Sequence, residues 1–588
     1  MHLTPLDWVI VVGALTLSFV PALWMARRAG QSTTEFFASG RAAPWWLVGV
    51  SMVATTFSTD TPNLVANLVR DGGVSANWVW WAFLLTGMTT VFFYARLWRR
   101  LGVVTDLEFY ELRYSGRAAT WVRGFRAVYL GVVFNVLIMA AVNLAAAKIA
   151  NVLLGWPIGQ TLLICSLLNV AFAAVSGLWG VLVTDFLQFG IAMTGSIAAA
   201  VYALRRPEVG GLEGLVDRLS PETLAMVPDL SDWGVALPIF IVPLAVQWWS
   251  TWYPGSEPGG GSYIAQRMLA ARSERDALSG TLLFNIAHYA IRPWPWIIVA
   301  LASMLVFPEV ADIGRALPHV DPALLGNDMA YPAMLTFLPA GLLGLMVAGL
   351  LSAYISTIST HLNWGTSYLV HDMYRRFLRT DQSEAHYVLM GRLVTAGLML
   401  VAALVTLALE SARGSFNILL SIGAGTGLLY LLRWFWWRIN AWSEIAAMAS
   451  SFVLAIVVYV MERQGTAWAA HETLVATVAL TTGVWLAVTY LTAPTDAATL
   501  QRFYRLARPA GPGWTETRRQ CGDLAALDSL NTAFGAWALG CVLVYSALFG
   551  TGHLLLGHTT SALVSGAIFV TSVVWLRRMW PSLWTNPS

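Results

Sequence analysis

The sequence predicts an all-α polytopic membrane protein, and three observations carry that reading. Of 588 residues, 57% are hydrophobic and 11% are charged, whereas a soluble domain carries roughly 25% charged residues. The mean hydropathy is +0.63. The apolar residues also gather into runs long enough to cross a bilayer, which takes about 20 residues of helix, and arginines cluster between the runs. The shortage of polar residues excludes a soluble enzyme, and a net charge of +3 gives no reason to expect nucleic acid as a partner. Lipid is the solvent for most of the chain. Cys165, Cys521 and Cys541 show neither metal-ligand spacing nor a disulfide framework.

Apolar runs between polar breaks give about fifteen segments by the spanning-length criterion. They lie near 6–27, 44–70, 76–98, 125–153, 156–176, 178–203, 234–254, 278–307, 331–373, 388–410, 416–437, 441–461, 472–493, 531–550 and 556–577. The first lacks a basic leader and is followed by Arg27 and Arg28, so it reads as an uncleaved span rather than a signal peptide. The run at 331–373 is too long for one straight crossing and must bend or leave the bilayer.

Alternate connections are rich in arginine, from Arg27, Arg28 and Arg41 through Arg96, Arg99 and Arg100, Arg267, Arg272 and Arg275, and Arg375, Arg376 and Arg379, to Arg577 and Arg578. By the positive-inside rule these are cytoplasmic, which puts the N-terminus outside and the C-terminus inside a cell membrane. The largest water-facing pieces, near 204–233 and 494–530, are too small for a catalytic domain. Any activity must live in the bundle, and no obligatory protein partner is implied.

Irregular backbone at membrane depth is tolerated only where it lines a cavity or is repaired by neighbours. The second segment reads Ala54-Thr55-Thr56-Phe57-Ser58-Thr59-Asp60-Thr61-Pro62-Asn63. Pro62 has no N–H and clashes with the carbonyl four residues back, so the carbonyls around Phe57 and Ser58 lose helical partners. These are either ligands for a sodium ion or a kink repaired by hydroxyls. A second polar stripe, Ala353-Tyr354-Ile355-Ser356-Thr357-Ile358-Ser359-Thr360-His361, repeats at helical spacing. It places Ser356 and Thr357 with Ala353, and Ser359 and Thr360 with Ser356, on shared faces. Small hydroxyl residues also let helices pack closely.

Ionisable residues inside spans are costly and therefore candidates for function. They are Asp60, Lys148, Asp185, His288, Arg292 and His361. Asp185 either neutralises a bound cation, pairs with Lys148 or caps a helix. Arg292 either pairs with Asp60, meets an anionic solute group or snorkels to the interface.

The order of several motifs resembles the sodium/solute symporter family, which includes sodium-coupled sugar, proline and sialic acid transporters. They are Glu35-Phe36-Phe37-Ala38-Ser39-Gly40-Arg41 with Pro44-Trp45-Trp46, Thr105-Asp106-Leu107-Glu108-Phe109-Tyr110-Glu111-Leu112-Arg113-Tyr114, Tyr263-Ile264-Ala265-Gln266-Arg267 and Asp372-Met373-Tyr374. The resemblance covers roughly 6–460. It implies a leucine-transporter-like core of two inverted five-helix repeats, at 44–203 and 234–437, with an extra helix in 1–43, an extracytoplasmic loop at 204–233 and four helices in 438–588 around a cytoplasmic loop near 494–530.

Carried over by position, the family's common sodium site falls on the carbonyls of Ala54, Phe57 and Ala353 and the hydroxyls of Ser356 and Thr357. A second site used by some members falls on Asp185, Ser356, Ser359 and Thr360, so two Na⁺ per solute are expected. The small-molecule solute should meet Ser58, Thr59, Asp60 and Thr61 on one side and Gln247, Trp248, Trp249 and Trp252 on the other, with Asn417 reaching the same cavity. Pro254 to Gly261 looks like an insertion before Tyr263. The expected activity is sodium-coupled import by alternating access of a small polar solute, a sugar or a related compound. An amino acid or carboxylate as solute, protons as coupling ion, and a channel or membrane sensor are the alternatives.

Overall fold

The computed structural model describes residues 3–253, 255–320, 322, 325–409, 412–466 and 468–584. Among them every regular element is helical, and 12 helices are long and apolar enough to cross a membrane. The sequence segments at 44–70, 156–176 and 416–437 fall outside that dozen. The first is divided into Trp45–Thr55 and Asp60–Gly72, and the last into Ala412–Gly423 and Gly427–Leu432. The middle one, Ile158–Ala174, is apolar but shorter than the others.

The main helices are α1 (Pro5–Ala29), the half-helices α2 (Trp45–Thr55) and α3 (Asp60–Gly72), α4 (Val74–Leu101), α5 (Gly116–Leu154) and α6 (Ile158–Leu204). They continue with α7 (Trp233–Ser250), the short α8 (Ser262–Ala270), α9 (Glu274–Val306), α10 (Leu342–Leu378), α11 (Glu384–Thr406) and the half-helices α12 (Ala412–Gly423) and α13 (Gly427–Leu432). Two pairs follow, α14 (Ala441–Arg463) with α15 (Ala470–Leu491) and α16 (Leu530–Leu555) with α17 (Thr559–Met579).

Packing around α6 and α10 positions the site. These two helices lie along each other, and α1 covers both from the lipid side. The carboxylate of Asp7 in α1 accepts the N–H groups of Gly341 and Gly344, each at 2.7 Å, and so caps the start of α10 with a side chain from another helix. The long run at 331–373 bends as expected: a short helix, Ala330–Leu335, precedes the break before α10. Helix α6 changes direction at Gly177, whose φ of 55° and ψ of −169° lie where only glycine is at ease. Helices α2 and α9 touch through Gly49 and Gly280, and a Cβ on Gly49 would lie 2.6 Å from the Gly280 carbonyl oxygen.

Polar groups inside the bundle are paired across helices. Lys148 of α5 reaches Asp328 at 2.7 Å. At the arginine-rich end, Arg123 bridges Glu111 at 2.6 Å and Asp372 at 2.7 Å, while Arg376 returns to Glu111 at 3.1 Å. The short helices of the 494–530 connection are tied to α4 by Arg96 and Arg100, which reach Asp528 at 3.0 and 3.1 Å.

Candidate cation and solute site

Helix α2 ends at Thr55 and α3 starts at Asp60, so the break expected from the sequence is present. Pro62 stands in the first turn of α3, where an absent N–H costs nothing; it starts the second half-helix rather than kinking a continuous one. The hydroxyl stripe of α10 faces this break. Thr357 Oγ1 donates to the Thr55 carbonyl at 2.8 Å and lies 3.5 Å from that of Phe57. Ala54, Phe57, Ala353 and Ser356 line a small void together with Gln188, Phe189 and Ala192 of α6. Gln188 is buried, and neither its Oε1 nor its Nε2 has a hydrogen-bond partner. Carbonyl, hydroxyl and amide oxygens are a donor set suited to a hard monovalent cation, and the buried Gln188 amide at the wall of the void has a free oxygen that fits such a ligand.

Asp185 is fully buried one turn away on α6. Its two oxygens accept from Ser51 Oγ and, at 2.5 Å, from Ser356 Oγ. It does not pair with Lys148. The neighbouring positive charge is Arg267 of α8, 3.9 Å from Asp185, which donates to Thr360 Oγ1 at 2.6 Å and to Ser51 Oγ at 3.2 Å. Ser359 Oγ donates to the Ser356 carbonyl at 3.2 Å. Of the four residues expected around a second ion, Asp185, Ser356 and Thr360 are linked directly or through Arg267, whose guanidinium sits between Asp185 and Thr360, whereas the Ser359 hydroxyl bonds back to its own helix.

A cavity of about 100 Å³ opens where the α2–α3 break meets the stretch after α7. Ser58, Asp60 and Thr61 line it, whereas Thr59 turns away and donates to the Val142 carbonyl at 3.0 Å. Thr357 reaches both the cavity and the α2 carbonyls, which joins the two sites. The stretch 255–261 is not a loop in water. It is the buried link between α7 and α8, and Trp98 Nε1 donates to its Gly259 carbonyl at 2.8 Å; Pro254 lies outside the described residues.

The other expected solute residues are placed elsewhere. Gln247 Nε2 donates to the Val79 carbonyl at 2.6 Å, Trp248 stacks on Trp537 with centroids 6.1 Å apart, and Trp249 Nε1 bonds the Ala245 carbonyl at 2.7 Å. Helix α7 stops at Ser250 and Thr251 is extended, with φ −104° and ψ 127°, so consecutive side chains point to opposite sides. Trp252 packs edge-on against Phe134 at 4.7 Å, and Tyr253 lines the cavity. Asn417 is exposed, and the cavity residue from α12 is Leu419.

Sequence reasoning missed Trp80, Tyr263 and Tyr289 as cavity residues, and Gln188 beside the cation void, whereas Tyr253 closes the stretch 247–253 expected to face the solute and does line the cavity. Aromatic residues inside spans carry no signal that separates packing from binding. His288, Arg292 and His361 also line the cavity, and those three had been marked by the rarity of ionisable groups in the bundle. Arg292 does not snorkel; it is 1% exposed.

Comparison with known proteins is consistent with this geometry. The sodium:solute symporter family description matches residues 36–468. A sodium/glucose cotransporter from Vibrio parahaemolyticus is 24% identical over 74% of this chain and 81% of its own length. A sodium/mannose cotransporter from Bos taurus is 24% identical over 76% of this chain and 78% of its own, and a human sodium/myo-inositol cotransporter 25% identical over 78% and 70%. Among solved structures, a Na⁺-coupled sialic acid symporter in a substrate-bound outward-open state superposes with a TM-score of 0.66 at 18% identity, covering 84% of this chain and 99% of that one. The likeness places the architecture among leucine-transporter-like folds.

Proposed function

Because the chain belongs to the sodium:solute symporter family, we propose that this multi-pass membrane protein imports a small polar organic solute by sodium-coupled alternating access. The observation that carries the reading is the small void where the α2–α3 break, α6 and α10 meet, next to Thr357, which bonds the Thr55 carbonyl and lines the solute cavity walled by the same break. Ala54, Phe57 and Ala353 would offer carbonyls, Ser356 and Thr357 hydroxyls, and Gln188 its amide oxygen. Sodium held there ties α10 to the α2–α3 break, and Thr357, which faces both sites, transmits its presence to the solute cavity. When the two helices separate towards the other side of the membrane, the ligands part and both cargoes leave.

Two ions per solute, as the resemblance implies, would require Arg267 to leave Asp185 and Thr360. A guanidinium in that place favours a single ion. Import into the cell follows from coupling to sodium, which the membrane potential drives inward.

The test is counterflow in proteoliposomes. A symporter loaded with unlabelled solute takes up labelled solute above its equilibrium level, and only with sodium present. Flux that merely dissipates a gradient indicates a channel, and full uptake in sodium-free buffer across a pH gradient indicates proton coupling.

A further inference from the structure

Among the described residues no carboxylate stands within ion-pair distance of Arg292, although Asp60 shares its cavity and opposes its charge from farther off. The arginine side chain is buried and lines the solute cavity. A guanidinium has five N–H donors and no acceptor. Three donors are used, all on uncharged groups: Nη1 on Thr56 Oγ1 at 3.0 Å and on the Val53 carbonyl at 3.4 Å, and Nη2 on His288 Nε2 at 3.3 Å. Because Arg292 only donates, His288 accepts on Nε2 and is the neutral tautomer with its proton on Nδ1, which stands 3.0 Å from Thr56 Oγ1. The Arg292 Nε–H is buried with no partner, and one Nη2–H remains beside it.

Asp60, which lines the same cavity, forms no ion pair with Arg292 among the described residues. It accepts from Ser58 Oγ and stands in the first turn of α3, where the helix N-terminus favours a negative charge. Apart from Asp60 and Arg292, the polar wall holds no carboxylate or guanidinium: besides His288 and His361 it is made of hydroxyl groups such as Tyr253, Tyr263, Tyr289 and Ser256. Other buried arginines stand at ion-pair distance from a carboxylate: Arg123 and Arg433 at 2.7 and 3.3 Å, and Arg267 at 3.9 Å from Asp185. A buried charge left uncompensated is costly, and two adjacent guanidinium donors match the two oxygens of a carboxylate.

We infer that the transported solute carries a carboxylate, which docks on Arg292 while His288 and Thr56 hold the guanidinium in place. The inference rests on the symporter reading above and narrows its solute to organic acids, against the neutral sugars and inositols named for the relatives.

The test uses the full chain in proteoliposomes with matched pairs, gluconate against glucose and lactate against lactamide. It reads sodium-driven uptake and, on purified protein, the sodium-dependent shift in melting temperature. At least one acid is expected to be taken up and to stabilise the protein, with its neutral partner weaker by about 10- to 100-fold. R292K should keep the preference for the acid, and R292Q should abolish it while sodium alone still stabilises the protein. The wild-type pairs decide the matter even if R292Q does not fold. Uptake of glucose or myo-inositol with no acid preferred overturns the inference and leaves the symporter reading standing, as does sodium stabilisation with no acid raising the melting temperature above its neutral partner. If sodium neither stabilises the protein nor drives any uptake, the symporter reading itself falls and the inference with it.

Discussion

Ser356 and Thr357 stand next to each other in the chain and serve different neighbours. Ser356 Oγ donates to Asp185 at 2.5 Å, and Thr357 Oγ1 donates to the Thr55 carbonyl at 2.8 Å. Replacing both with Ala removes the Ser356 hydroxyl beside the void and the Thr357 hydroxyl that bonds the α2 end, and is expected to abolish sodium-dependent uptake while leaving expression in the membrane near wild type. Retained uptake by the double variant would refute the cation assignment. For the Asp185–Arg267 pair the expectation is a sodium Hill coefficient near one in the wild type and, in Asp185→Asn, a coefficient still near one. A wild-type value near two that falls to one in the variant would instead establish a second ion. Asp185, Ser356 and Thr357 were legible in the sequence because polar groups stand out in an apolar run. Arg267 as their partner was not, since it lies 82 positions from Asp185 and reads as one of a basic cluster with Arg272 and Arg275.

At the level of elements, the helices and their breaks were legible, because lipid forces apolar composition on every span and permits irregular backbone only where it is enclosed. Less legible was which side chains the breaks deliver. Trp252 and Tyr253 differ by one position, and only the extended backbone at Thr251 decides that the tyrosine faces the cavity. Close contact between helices was equally hidden, as glycine gives no hydropathy signal. Gly177 joins the two arms of α6 with a positive φ, and a Cβ there would lie 2.9 Å from that of Ala29. Gly177→Ala is expected to destabilise the protein by about 1–3 kcal/mol, read as a lower melting temperature in detergent. At Gly280 a Cβ would meet the Trp45 carbonyl at 2.9 Å, and Gly280→Leu should force α2 away from α9 and reduce folded yield. An unchanged melting temperature in both variants would contradict the packing described.

For the whole molecule, two consequences follow from where charge is kept. The bridge of Arg123, Glu111, Asp372 and Arg376 ties the loop after α4 to α5 and to the end of α10. Asp372→Asn should loosen this end, and faster amide hydrogen exchange across residues 105–123 is the expected readout. The other consequence concerns energy. A potential of 100 mV contributes about 2.3 kcal/mol for each charge carried fully across, worth about 50-fold in accumulation. One sodium with one carboxylate carries no net charge, so accumulation should be insensitive to a valinomycin-imposed potassium potential. Dependence approaching 50-fold would require a second ion or a neutral solute.

Lys148 is the only lysine in the chain, every other basic side chain apart from histidine being arginine. Its side chain is 4% exposed, with the ammonium held at 2.7 Å by Asp328. Apart from the amino terminus, the native protein therefore offers amine-directed reagents a single target, and that target is shielded while the contact between α5 and the 326–329 turn is closed. Acylation followed by mass spectrometry would act as a clock for that contact, without an engineered label. A labelling rate that changes between sodium-loaded and sodium-free protein would time the opening of α5 during the transport cycle.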